Sequence, residues 1–145
     1  MFRKWLFAWI VFFCYSCSGI ENEITYFLNG IKIIRIDKSG ETSFYYQRQN
    51  QERSVGRIVV RYSGINDGFS GYLKFENNGY VVLLSGDGYF QSEDLDAEMF
   101  SYRRITARER PQLDSSVYYI TLSTRHEVER NSTVKSKIKA EYKDL

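Results

Sequence analysis

Of 145 residues only 2 are cysteine, 1 is proline and 1 is histidine. Each scarcity removes a class of explanation. Both cysteines, Cys14 and Cys17, lie near the start, so no internal disulfide is available beyond them and the fold must rest on packing and backbone pairing. A zinc site draws on several His or Cys ligands, which His126 and one remaining cysteine do not supply; no metal and no cofactor are expected. Hydrolysis of the Ser-His-acid kind needs a histidine oriented by a carboxylate, whereas His126 falls in a segment read as a strand, opposite Ile138. No catalytic residue is assigned. Charge of one sign is also missing: the formal charge is +2, and removing Arg3 and Lys4 leaves 18 basic residues against 18 acidic. A balanced chain has no general footprint for nucleic acid.

A long apolar run is absent too. Arg3 and Lys4 precede the uncharged stretch Trp5 to Tyr15, the layout of a secretory signal. A membrane-spanning helix needs about 20 apolar residues, and this one turns polar at Ser16, Ser18, Glu21, Asn22 and Glu23. The Cys14-x-x-Cys17 spacing would make a redox or metal pair only inside a folded domain, yet Cys14 lies in the part expected to be removed. Ser16-Cys17-Ser18-Gly19 resembles the lipobox of bacterial lipoproteins, with Cys14 and Tyr15 where that family usually has Leu and a small residue. The resemblance implies that Cys17 receives a diacylglycerol, becomes the mature N-terminus and anchors the chain to a membrane. It also implies an outer-membrane address over an inner one, since Ser18 is not acidic. Ser16 and Ser18 also fit the small-x-small pattern of ordinary cleavage, which would release a soluble exported protein. The expected organisation is a signal peptide over 1–16, an anchor and short linker over 17–23, and one β domain over 24–145.

The remainder is rich in what strands use. Aromatic residues are 17% of the chain, and β-branched and aromatic residues alternate between Gly, Asn and Asp pairs, an all-β pattern. In "ITYFLNGIKIIRID" Asn29-Gly30 suits a type I′ hairpin turn. Lys38-Ser39-Gly40 turns the chain into "TSFYYQRQ". In "RIVVRY" Ile58, Val60 and Tyr62 are expected inward and Arg57, Val59 and Arg61 outward. Asn77, Asn78 and Gly79 make another turn, and Asp87-Gly88 a further one. Tyr80 to Leu84, apolar on both faces, is placed near a sheet centre. The acids in "SEDLDAEMF" favour a bend or helical turn, and "SYRRITARE" a strand ended by Pro111. A last hairpin is expected around Asn131, Ser132 and Thr133, pairing Glu129 with Lys135 and Glu127 with Lys137; a terminal helix through Val134, Ile138, Tyr142 and Leu145 is the alternative. About eight to ten strands then give a small antiparallel β-sandwich or barrel.

Binding is the function this pattern leaves open. Lys135, Lys137 and Lys139 alternate and could touch an anionic lipid or glycan, although edge lysines also block unwanted strand pairing. Glu93, Asp94, Asp96 and Glu98 lack the spacing of a calcium loop and read as a solvated acidic segment. The adjacent tyrosines Tyr45-Tyr46 and Tyr118-Tyr119 each put one member away from the core, as sheet or contact residues. "SGDGY", from Ser85 through Asp87 to Tyr89, resembles a loop of small lysozyme-inhibitor lipoproteins, without the cysteine pair many of those carry. That resemblance implies a β-barrel pushing a loop into a partner enzyme. The expectation is therefore a membrane-anchored envelope lipoprotein whose non-catalytic domain binds a protein or envelope component. Alternatives are an inhibitor or immunity protein that blocks an enzyme by an inserted loop, and a hydrolase whose paired acids converge in a cleft.

Overall fold

The computed structural model describes residues 22–48, 56–61, 70–77, 79–85 and 89–144. Ten strands run in the order β1 (Asn22–Leu28), β2 (Ile31–Lys38), β3 (Glu41–Arg48), β4 (Gly56–Arg61), β5 (Ser70–Glu76), β6 (Gly79–Ser85), β7 (Tyr89–Glu93), β8 (Phe100–Arg104), β9 (Val117–Thr121) and β10 (Lys139–Asp144). Among the described residues one α-helix, α1 (Thr124–Asn131), lies between β9 and β10. The strands form a six-stranded sheet, β10-β1-β2-β3-β4-β7, and a four-stranded sheet, β8-β6-β5-β9. The pairings are antiparallel except for β6 with β8, which run parallel.

Local chemistry accounts for the hairpins. Asn29 and Gly30 sit at φ 50° and 77° between β1 and β2, the positive values a type I′ turn demands. Gly40, at φ 76°, closes β2 onto β3. Alternation then sorts the faces: Ile24, Tyr26 and Leu28 of β1, Ile33 of β2, Phe44 and Tyr46 of β3, and Ile58 and Val60 of β4 are buried. They meet Leu73, Tyr80, Val82, Leu84, Phe100, Tyr118 and Ile120 from the smaller sheet in one core. Ring pairs stitch the two layers, Tyr26 against Tyr118 at 5.5 Å and Tyr46 against Phe100 at 5.7 Å. A second cluster, Tyr72, Leu83, Ile105, Val117 and Tyr119, covers the outer face of the smaller sheet, with Leu113 packed against it. The architecture is thus a sandwich.

The structure departs from the sequence pattern at several places. Residues 124–131 form α1, not the first arm of a hairpin, because Ser123 caps the helix by accepting from the His126 backbone N–H at 3.4 Å. His126 is therefore helical and exposed, with no strand partner Ile138. The final segment is a strand, not the alternative terminal helix, and β10 pairs with β1. "SYRR" is a strand, but "ARE" forms a 3-10 turn before Pro111. Val59 faces outward yet is only 1% exposed; Arg57, bonded to Glu41 and Ser43, and Arg61, bonded to Glu41, frame the Ser43–Val59 pair. Asp87, Gly88, Tyr62 and Asn78 lie outside the described residues. The strands flanking Asp87-Gly88, β6 and β7, belong to different sheets.

The bend expected in the acidic segment is present before β8, where the Met99 and Phe100 backbone N–H groups donate to the Asp96 carbonyl at 3.0 and 2.8 Å. β6 lies inside its sheet, between β8 and β5, as its two-sided apolarity implies. Each tyrosine pair is split as expected. Tyr46 and Tyr118 enter the core, while Tyr45 lies under the Arg57 guanidinium at 5.3 Å and Tyr119 under that of Arg130 at 4.3 Å.

Candidate functional site

The β1–β2 turn opens onto a cleft of about 660 Å³ lined by Phe27, Leu28, Asn29, Gly30, Ile31 and Lys32, with Gln47, Arg48, Lys137 and Lys139. Register builds it. Lys139, Phe27, Lys32 and Gln47 stand side by side on β10, β1, β2 and β3, on the outer face of the larger sheet. Lys137 is placed by its own backbone N–H, which donates to the Ser115 carbonyl at 2.9 Å. Ile138, 3% exposed, drives inward between Lys137 and Lys139. Among the described residues the lining holds four cations, the amides of Asn29 and Gln47 and apolar side chains, and no carboxylate.

Among the described residues none of Lys32, Arg48, Lys137 or Lys139 has an acidic partner within 4.0 Å. Like charges gathered in a concave, partly apolar wall focus a positive potential. Of the three lysines singled out in the sequence, Lys137 and Lys139 reach this cleft and Lys135 does not. The expected neutralising acids are elsewhere: Glu127 is buried, and Glu129 bonds Arg125 at 2.9 Å. Ser85 faces Ser70 across the β5–β6 pair, their hydroxyls 3.0 Å apart, and Tyr89 begins β7 with 72% of its surface exposed. Cys17 and Asp87 lie outside the described residues, so the Ser85-Asp87-Tyr89 loop is defined only at its two ends.

A second constellation, not foreseen from the sequence, is buried beneath α1. Arg35 is fully enclosed and uses every N–H of its guanidinium: Nε and Nη2 donate to Asp37 at 2.8 and 2.5 Å, Nη1 to Glu127 and the Tyr26 hydroxyl at 2.7 and 3.1 Å, and Nη2 also to the Thr121 carbonyl at 2.7 Å. Glu127 accepts further bonds from Tyr26, Tyr142 and the Thr121 N–H at 2.9, 3.2 and 2.9 Å. Thr42 donates to Asp37 at 2.7 Å. Burial pushes the Glu127 carboxyl above its ordinary range, against the pull of Arg35 and of its Thr121 and Tyr26 donors. Burial also raises the Tyr26 and Tyr142 hydroxyls, with Glu127 adding to the effect. Asp37 and Glu127 are brought together here, and both are spent on Arg35; Glu41 and Glu93 likewise converge on Arg57, at 3.2 and 3.5 Å.

That cluster has a mechanical role. Asn131 accepts from the Tyr119 N–H at 2.8 Å and donates to the Tyr119 carbonyl at 2.8 Å. With Glu127 on the Thr121 N–H, α1 occupies the free edge of β9 as a strand would, and so shields it from pairing with another chain. Elsewhere in the core the Tyr46 and Tyr80 hydroxyls find no hydrogen-bond partner among the described residues, and burial raises Tyr80.

Among the described residues no group of His, Cys, Asp and Glu is placed to hold a metal ion, and no helix is long and apolar enough to cross a membrane. Comparison with protein-family models, with curated proteins and with solved structures finds no match to this chain.

Proposed function

We propose that this chain is an exported, lipid-anchored envelope protein whose β-sandwich binds an anionic envelope component in the cleft at the β1–β2 turn, without chemical change. The observation that carries this reading is the set of cations Lys32, Arg48, Lys137 and Lys139, without acidic partners among the described residues, around an apolar floor. The anchor rests on the lipobox resemblance at Cys17 and favours the outer membrane. Cys17 precedes β1 by five residues, at most about 18 Å of extended chain. β1 then carries the backbone about 20 Å further before reaching the cleft. The cleft thus lies at the end of β1 farther along the chain from Cys17.

A photo-crosslinking side chain at Asn29, exposed in the lining, tests the binding in intact cells. One dominant adduct is expected, reduced at least tenfold by Lys32→Glu with Lys139→Glu. Cys17→Ser should release the protein from the membrane fraction while leaving the purified domain folded. An unchanged adduct in the charge-reversed variant would sink the cleft reading.

The exposure of Tyr89, 72%, favours a second reading in which a loop at the start of β7 plugs a partner enzyme. On that reading a crosslinker at Ser92 captures one protein, Tyr89→Ala abolishes capture with an unchanged circular dichroism spectrum, and Asn29 yields nothing. Capture that survives Tyr89→Ala removes the loop from consideration.

A further inference from the structure

We infer that the ligand of the cleft is an amphiphile with a phosphate head, held by Lys32, Arg48, Lys137 and Lys139, and a hydrocarbon tail laid along the outer face of the larger sheet. This rests on the cleft being an anion site and adds the class of ligand. The head follows from the composition of the wall. A guanidinium fork pairs two phosphoryl oxygens, and ammonium groups on flexible stems supply adjustable point charges around them. Arg48 and the lysines offer that combination in one concavity, with no acid among the described lining residues.

The tail follows from an independent observation. Period-two alternation puts Lys32, Ile34 and Ile36 on the same outward face of β2. An outward sheet face that meets water normally carries polar residues at such positions, whereas here Ile34 and Ile36 are apolar and half-buried. Phe27 stands beside Lys32 within the cleft, and Tyr45 stands beside Ile34. An apolar track therefore starts at the cations and runs about 13 Å along β2 from Lys32 to Ile36. Glu23, Glu141, Lys143 and Arg57 border the track with mixed signs, so the cleft is the part of this face with charge of one sign. A molecule with an anionic end and an apolar end matches this order; a free anion leaves the track bare, and a neutral lipid leaves the cations unmatched.

Equilibrium dialysis separates these cases, using the full chain in neutral phosphatidylcholine vesicles with hexyl phosphate, inorganic phosphate or hexyl glucoside as probe. Hexyl phosphate is expected to bind at least tenfold more tightly than either of the others. Ile34→Ser with Ile36→Ser, which touches neither the core nor the cations, should erase the advantage over inorganic phosphate and leave phosphate binding intact. Lys32→Glu with Lys139→Glu should remove binding of both phosphates and serves as the blank for partition into the vesicles. Equal binding of hexyl phosphate and inorganic phosphate would overturn the tail while leaving the anion cleft standing. Equal binding of hexyl glucoside would overturn the head. Loss of all phosphate binding in the unaltered chain would remove the anion site itself.

Discussion

Replacing Arg35 by methionine should destabilise the domain by about 3–5 kcal/mol, the range for breaking a buried ion pair, as read from urea unfolding followed by circular dichroism. The substitution keeps much of the volume and removes the charge, leaving Asp37 and Glu127 buried without their cation. The size of the effect comes from those stranded carboxylates more than from the net worth of the pairs. A pH series identifies the cause. Burial already holds the Glu127 carboxyl above its ordinary range, and loss of Arg35 raises it further. A folded-state pKa above the unfolded value gives stability that is fully present below about pH 4.5 and lost as pH rises through the raised value. The deficit of the variant should therefore shrink as pH falls from 7 towards 4. A deficit independent of pH would show that packing, not charge, is responsible.

Alanine at Gly71 is expected to cost about 3 kcal/mol, at the top of the range for overpacking. A Cβ built there stands 2.3 Å from the Leu83 carbonyl oxygen and 2.8 Å from the Leu84 Cδ2, and the carbonyl belongs to β6, the neighbouring strand. It cannot yield without opening the β5–β6 ladder. Gly40→Ala provides the contrast. Nothing lies within 4 Å of its added Cβ, but φ is 76°, so strain alone should cost about 1 kcal/mol. Thermal melts of the two variants should differ in that order; equal melting temperatures would mean that β5 and β6 can part without penalty.

Much of the fold was legible because short-range chemistry determines it. "ITYFLNGIKIIRID" carries both its turn and its alternation, and the observed β1–β2 register pairs Leu28 with Ile31 across Asn29-Gly30. The ends of the cleft were visible as Lys137 and Lys139, but not its other walls. Lys32 and Arg48 join them only through the β10-β1-β2-β3 order, which pairs elements more than 100 residues apart and leaves no local mark. Helix α1 was missed for a different reason. Opposite charges at Glu127, Glu129, Lys135 and Lys137 suited a hairpin register, while the cap at Ser123 is a weaker signal. One sign of the buried cluster was present: Arg35 and Asp37 occupy the inward positions of β2, in phase with Ile33. Opposite charges two residues apart on the apolar side of a strand point to a partner network, and tertiary packing alone supplies Glu127, 92 residues away.

The pairing of β1 with β10 imposes an order on assembly. β1 emerges first among the strands and can fold back on β2 at once, but its other edge stays bare until Lys139 to Asp144 arrive. The Tyr142 hydroxyl on Glu127 likewise waits for β10. Contacts of such long sequence separation close slowly, because the intervening loop must be ordered first. The sheet thus stays incompletely locked until the last strand is available, and until then the outer edge of β1 is a bare template for pairing with another chain.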